Sequence, residues 1–165
     1  MKKKIFTIII MFTIMFLPQT IIANDWESEK IDLINTDLLA FYGMEEYLNG
    51  NKDGDSIINV VSMAVSNASN SFEEKIKNYE SESALLPETK EKNDIKKRIL
   101  EYQNEILMEN YFEIKAHITG RENLPEEGLR NRFYEIKMLY CVAMSSDGEN
   151  FDELYNKITN LDFSK

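Results

Sequence analysis

Apolar side chains recur at intervals of three and four along most of the chain, the spacing that lines one face of an α-helix. Between about Ser56 and Tyr79 the series Ile57, Val61, Ala64, Ala68, Phe72, Ile76 and Tyr79 keeps that interval throughout. An earlier series, Ile31, Ile34, Leu38, Phe41 and Leu48, predicts a helix from about Trp26 to Leu48. A third set, Ile95, Ile99, Tyr102, Ile106, Leu107, Tyr111, Ile114 and Ile118, predicts a helix from near Glu88 to Ile118. Its step from Ile106 to Leu107 makes the seam drift around the helix, as in a bundle rather than a strict coiled coil. Leu129, Phe133, Ile136, Tyr140 and Ala143 predict a fourth helix over about Pro125–Met144. Phe151, Leu154, Tyr155, Ile158 and Leu161 predict a short last one.

The punctuation agrees with these limits. Pro87 and Pro125 each stand between a Leu and a Glu, and proline followed by an acid suits the first turn of a helix. Gly120 ends the third helix and Asp147-Gly148 the fourth, while Asn150 and Glu153 have capping-box spacing. The run SMAVSNASNS is rich in small side chains and predicts a close helix crossing. No stretch alternates long enough to be a strand. The expected fold is all-α: an up-and-down helical bundle of four long helices plus a short C-terminal helix.

The N-terminus has a different pattern. Lys2, Lys3 and Lys4 precede an uncharged run from Ile5 to Leu17, then Pro18 and a short segment ending at Ala23. That run is shorter than the roughly 20 residues of a membrane span and has the organisation of a signal peptide. Residues 1–23 are therefore expected to be a leader and residues 24–165 a single acidic helical domain, periplasmic or secreted. An uncleaved anchor is the alternative, although Thr7, Thr13, Gln19 and Thr20 interrupt it.

Charge sharpens the picture. The chain carries 29 acids and 19 bases, a formal net charge of −10. From Asn24 to Glu74 there are 11 acids against Lys30 and Lys52, a net of −9, whereas residues 75–165 carry −4. Such an excess repels nucleic-acid phosphate and anionic lipid and speeds encounter with basic proteins. Asp37, Glu45 and Glu46 are the expected partner-binding acids of this half.

Candidate chemistry is sparse. Asn49, Asn51, Asp53 and Asp55 place oxygen ligands at alternate positions around Gly54, as at the start of a calcium loop. The pattern then fails, because Val60 stands where a bidentate acid is required. A polar helix-to-helix turn uses the same residue types. His117 is the only histidine and Cys141 the only cysteine; Glu113 and His117 suit a surface pair at helical spacing, and Cys141 lies in an apolar run that predicts burial. No Gly-rich phosphate loop is present. No cofactor is expected, calcium excepted. The leading reading is an exported non-enzymatic protein that binds another protein, inhibitor-, immunity- or interaction-module-like. The alternatives are a small secreted hydrolase using paired carboxylates, Glu45 and Glu46 being the first choice, and a calcium- or ligand-responsive helical protein.

Overall fold

The computed structural model describes residue 34, residues 36–146 and residues 150–160. The expected leader and the first turns of the first helix lie outside the described residues. The chain divides into two compact units, Met1–Thr36 and Asp37–Lys165. The described part of the second unit is all-α. Its helices are α1 (37–48), α2 (Gly54–Leu85), α3 (Lys90–Ile118), α4 (Glu126–Met144) and α5 (Phe151–Thr159). A single 3₁₀ turn, Pro87–Thr89, joins α2 to α3.

Local chemistry explains most boundaries. Gly50 and Gly120 adopt φ of 74° and 70°, the left-handed region where a side chain is strained. Each ends its helix with paired backbone bonds. Asn51 N–H donates to the Glu46 carbonyl at 2.8 Å and Gly50 N–H to Tyr47 at 3.0 Å. Arg121 to Ala116 at 2.8 Å and Gly120 to His117 at 3.0 Å repeat the arrangement, so otherwise unsatisfied carbonyls are paired. Asp53 caps α2, its Oδ1 accepting from Ser56 N–H at 2.8 Å. The capping box expected at α5 does not form. Asn150 has φ 66° and makes no side-chain cap bond, since the left-handed backbone departs from the extended conformation that aims a cap at the helix N-terminus.

The core lies between α1, the first two-thirds of α2, the second half of α3, and α4. Phe41 and Met44 of α1, Ile57, Val61 and Phe72 of α2, Leu107 and Ile114 of α3, and Phe133, Ile136 and Tyr140 of α4 are buried. Phe41 meets Tyr140 edge-on with ring centroids 4.9 Å apart, a favoured aromatic geometry. The small-residue stretch of α2 buries Ala64 and Ala68, and Ser71 Oγ donates to the Ala143 carbonyl of α4 at 2.7 Å. A short hydroxyl reaching another helix's backbone requires the close approach that the composition predicted.

Helix lengths decide the rest. α2 has 32 residues and α3 has 29, but α4 has only 19. The turns of α2 beyond Lys75 and the first turns of α3 therefore continue past the end of α4 as a two-helix hairpin. Polar contacts hold its tip: buried Asn93 donates through Nδ2 to Ser83 Oγ at 3.2 Å and Thr89 Oγ1 at 3.1 Å. Lys97 pairs with Glu80, and Lys96 Nζ sits 4.6 Å from the Tyr79 ring centroid.

This arrangement corrects one expectation. Ile95, Ile99 and Tyr102, predicted to face the core, are 57%, 52% and 64% exposed. Their spacing is helical, but no helix within the described residues covers that face. Phe112 and Tyr134, aromatics off the apolar seams, are exposed as well.

Candidate functional site

The strongest buried polar constellation joins three helices. Asp37 of α1 is 2% exposed. Its Oδ2 accepts from Tyr140 Oη at 2.8 Å, and Asn67 Nδ2 lies 3.0 and 3.1 Å from its two oxygens. Burial raises the Asp37 pKa above 3.8, while the bonds from Asn67 and Tyr140 pull it down. Burial, foremost, together with the neighbouring carboxylate pushes the Tyr140 phenol far above its ordinary value. A carboxylate enclosed in this way orders three helices and presents no face to a partner.

The other expected acids stand apart from it. Glu45 is exposed and pairs with Lys137 of α4, a largely buried lysine. Glu46 is half-buried, and its carbonyl accepts the Asn51 and Lys52 N–H groups. At the Asn49–Asp55 turn, Asn49, Asn51, Asp53 and Asp55 are all exposed. The Asp53 carboxylate takes both the amide and the hydroxyl of Ser56, and the hydroxyl first, then the amide, lowers its pKa. Gly54 is tightly confined: a Cβ there would lie 2.4 Å from Ile118 Cγ2. Among the described residues no group of three or more His, Cys, Asp or Glu side chains is arranged to hold a metal.

The single cysteine and the single histidine are both held within the fold. Cys141 is free and fully buried, and burial pushes its thiol up to about 12. His117 accepts the Leu124 N–H at Nδ1, 3.1 Å away, tying down the α3–α4 connection. Glu113 does not pair with His117 as the spacing suggested. It pairs with Arg132 of α4, because the neighbouring helix brings a permanently charged guanidinium to its side.

Two shallow depressions flank the hairpin, each about 300 Å³. One, beside the end of α4, includes Lys75, Tyr79, Ile99 and Phe151 in its walls. There Lys75 Nζ donates to the carbonyls of Val142 at 2.8 Å and Ser145 at 2.6 Å. A cation on those carbonyls complements the negative end of α4, which has no basic residue in its own last turn. The other includes Glu80, Asp94 and Lys97, and Glu80 is already paired with Lys97. Sequence reasoning missed both the Lys75 cap and the Asp37–Tyr140 bond, which join residues far apart in the chain. Comparison with protein-family models, with curated proteins and with solved structures returned no match.

Proposed function

We propose that this is an exported, non-enzymatic helical protein that binds another protein outside the cytoplasm. In this reading residues 1–23 are a cleaved leader, and the rest forms an up-and-down bundle of four long helices and a short fifth. The observation that carries it is the charge distribution: the −9 of residues 24–74 accords with a basic partner approaching the α1–α2 junction. Glu45 and Asp55 are exposed there and Glu46 half-buried; Asp37, enclosed by Asn67 and Tyr140, drops out of that face. Support also comes from the structural employment of His117 and Cys141. No helix among the described residues is long and apolar enough to cross a membrane.

The test is expression of the full-length chain with a C-terminal tag, followed by fractionation, N-terminal sequencing and recovery of bound protein. A mature N-terminus at Asn24 is expected, outside the cytoplasm. So is a protein that dissociates as salt rises from about 50 to 500 mM, because exposed charges are screened over that range. Reversing Glu46 and Asp55 to Lys should abolish its recovery. An intact leader on protein confined to the cytosol would refute export, and binding indifferent to salt and to both reversals would refute the acidic face.

A further inference from the structure

We propose that the outer face of α3 pairs antiparallel with the same face of a second copy of this chain. Lys92, Ile95, Ile99, Tyr102, Ile106 and Glu109 follow one another at intervals of three, four, three, four and three, the alternation of a two-helix seam. Ile95, Ile99 and Tyr102 are each more than half exposed, Ile106 is half-buried, and Lys92 and Glu109 are exposed. α2 holds α3 through Asn93 and Lys97, which lie off this stripe, and the stripe's edge at Ile99 borders the depression walled by Lys75, Tyr79 and Phe151. It spans about 26 Å at 1.5 Å per residue.

Charge selects the occupant. The seam is its own complement when reversed about the midpoint between Leu100 and Glu101. Antiparallel pairing then sets Ile99 against the partner's Tyr102, Ile95 against the partner's Ile106, and Lys92 against the partner's Glu109. Neither Lys92 nor Glu109 is in an ion pair among the described residues. The same complementarity runs along the whole helix. Residues 90–101 carry five bases and three acids, a net of +2, while Glu105, Glu109 and Glu113 give residues 102–113 a net of −3. An antiparallel pair therefore lays each basic half on an acidic half, twice over by symmetry. A parallel pair stacks like charge on like, which is destabilising. Self-pairing through α3 is independent of any partner at the α1–α2 junction, which lies on other helices.

Disulfide trapping tests this in cells making the full-length chain. Two differently tagged copies are co-expressed, one with Lys92→Cys and the other with Glu109→Cys, and treated with a mild thiol oxidant. Cys141 is buried and does not compete. A mixed disulfide is expected in at least about tenfold excess over either like-with-like product, since bridging requires Cβ atoms roughly 4 Å apart. Ile99→Glu in both copies should lower it by about tenfold or more by placing a charge in the seam. Because Ile99 is exposed, the far-UV circular dichroism of that variant should be unchanged. If it is not, sedimentation decides: Lys92→Glu alone should weaken association, and adding Glu109→Lys should restore it. No mixed product, equal amounts of all three, dominance of like-with-like product, or failure of the double reversal to restore pairing would overturn the proposal.

Discussion

The hydroxyl of Tyr140 donates to Oδ2 of Asp37 at 2.8 Å, joining residues 103 positions apart at the centre of the helical core. With Asn67 as a further donor, the bond fixes how α1, α2 and α4 meet. A buried carboxylate without donors would be costly, and each donor offsets part of its desolvation.

The group should leave a pH signature. Burial raises the Asp37 pKa in the folded state above the unfolded value of about 3.8. The protonated form is thus favoured by folding, and the resulting stability is fully present below that unfolded value. It is lost as pH rises through the folded value. Urea titrations should show the native chain losing ground to Asp37→Asn between pH 4 and pH 7. Tyr140→Phe should cost about 1–3 kcal/mol by removing a buried donor, and more at pH 7 than at pH 4. Parallel pH curves for native chain and Asp37→Asn would contradict this account.

Lys75 acts as the C-terminal cap that α4 lacks. Lys75→Met keeps the aliphatic stem and removes the ammonium from the Val142 and Ser145 carbonyls. A loss of about 1.5–3 kcal/mol is expected, as for hydrogen bonds to charged groups. Amide exchange should quicken at Ser145, whose N–H donates to the Cys141 carbonyl, while the Ile57 and Val61 amides stay protected. Uniform acceleration at all these sites would assign Lys75 a global role instead.

Gly54 and Ile118 should behave as a coupled pair. An added methyl at Gly54 meets Ile118 Cγ2 at 2.4 Å, so Gly54→Ala should destabilise by about 1–3 kcal/mol through overpacking. In an Ile118→Ala background the same change should be neutral or mildly stabilising, because alanine is the better helix former. Denaturant unfolding of the four proteins in the cycle measures the coupling. Additivity within about 0.5 kcal/mol would show that the contact relaxes without cost.

Asp53 should respond as a helix cap. Its hydrogen bonds to Ser56 lower its folded pKa below 3.8, so its contribution is present above the unfolded value and lost as pH falls through the folded one. Asp53→Ala should lower Tm at pH 7 and Asp53→Ser should restore most of the loss, serine being an effective cap. Melting in millimolar calcium distinguishes capping from the calcium reading of Asn49–Asp55. A Tm raised by calcium in the native chain and not in Asp53→Ala would favour the metal.

Much of the local architecture was legible along the chain. Gly120 reads as a helix end because glycine takes a positive φ without strain, and it does so, as Gly50 does at the end of α1. Pro87 opens the 3₁₀ turn before α3, and Pro125 stands just before α4. The apolar run around Cys141 announced its burial. These features depend on interactions within a few residues, which sequence spacing encodes directly.

The tertiary structure decided which faces are covered. Periodicity groups Ile95, Ile99 and Tyr102 on one side of α3, yet it contains nothing about where a neighbouring helix stops. α4 is too short to follow α2 and α3 to the hairpin tip, so among the described residues that side stays open. The same logic reverses the fate of Asp37, an acid on an apparently solvated helix that Tyr140 and Asn67 enclose from other helices. Burial and pairing are properties of the gap between elements, and three helices must meet before that gap exists.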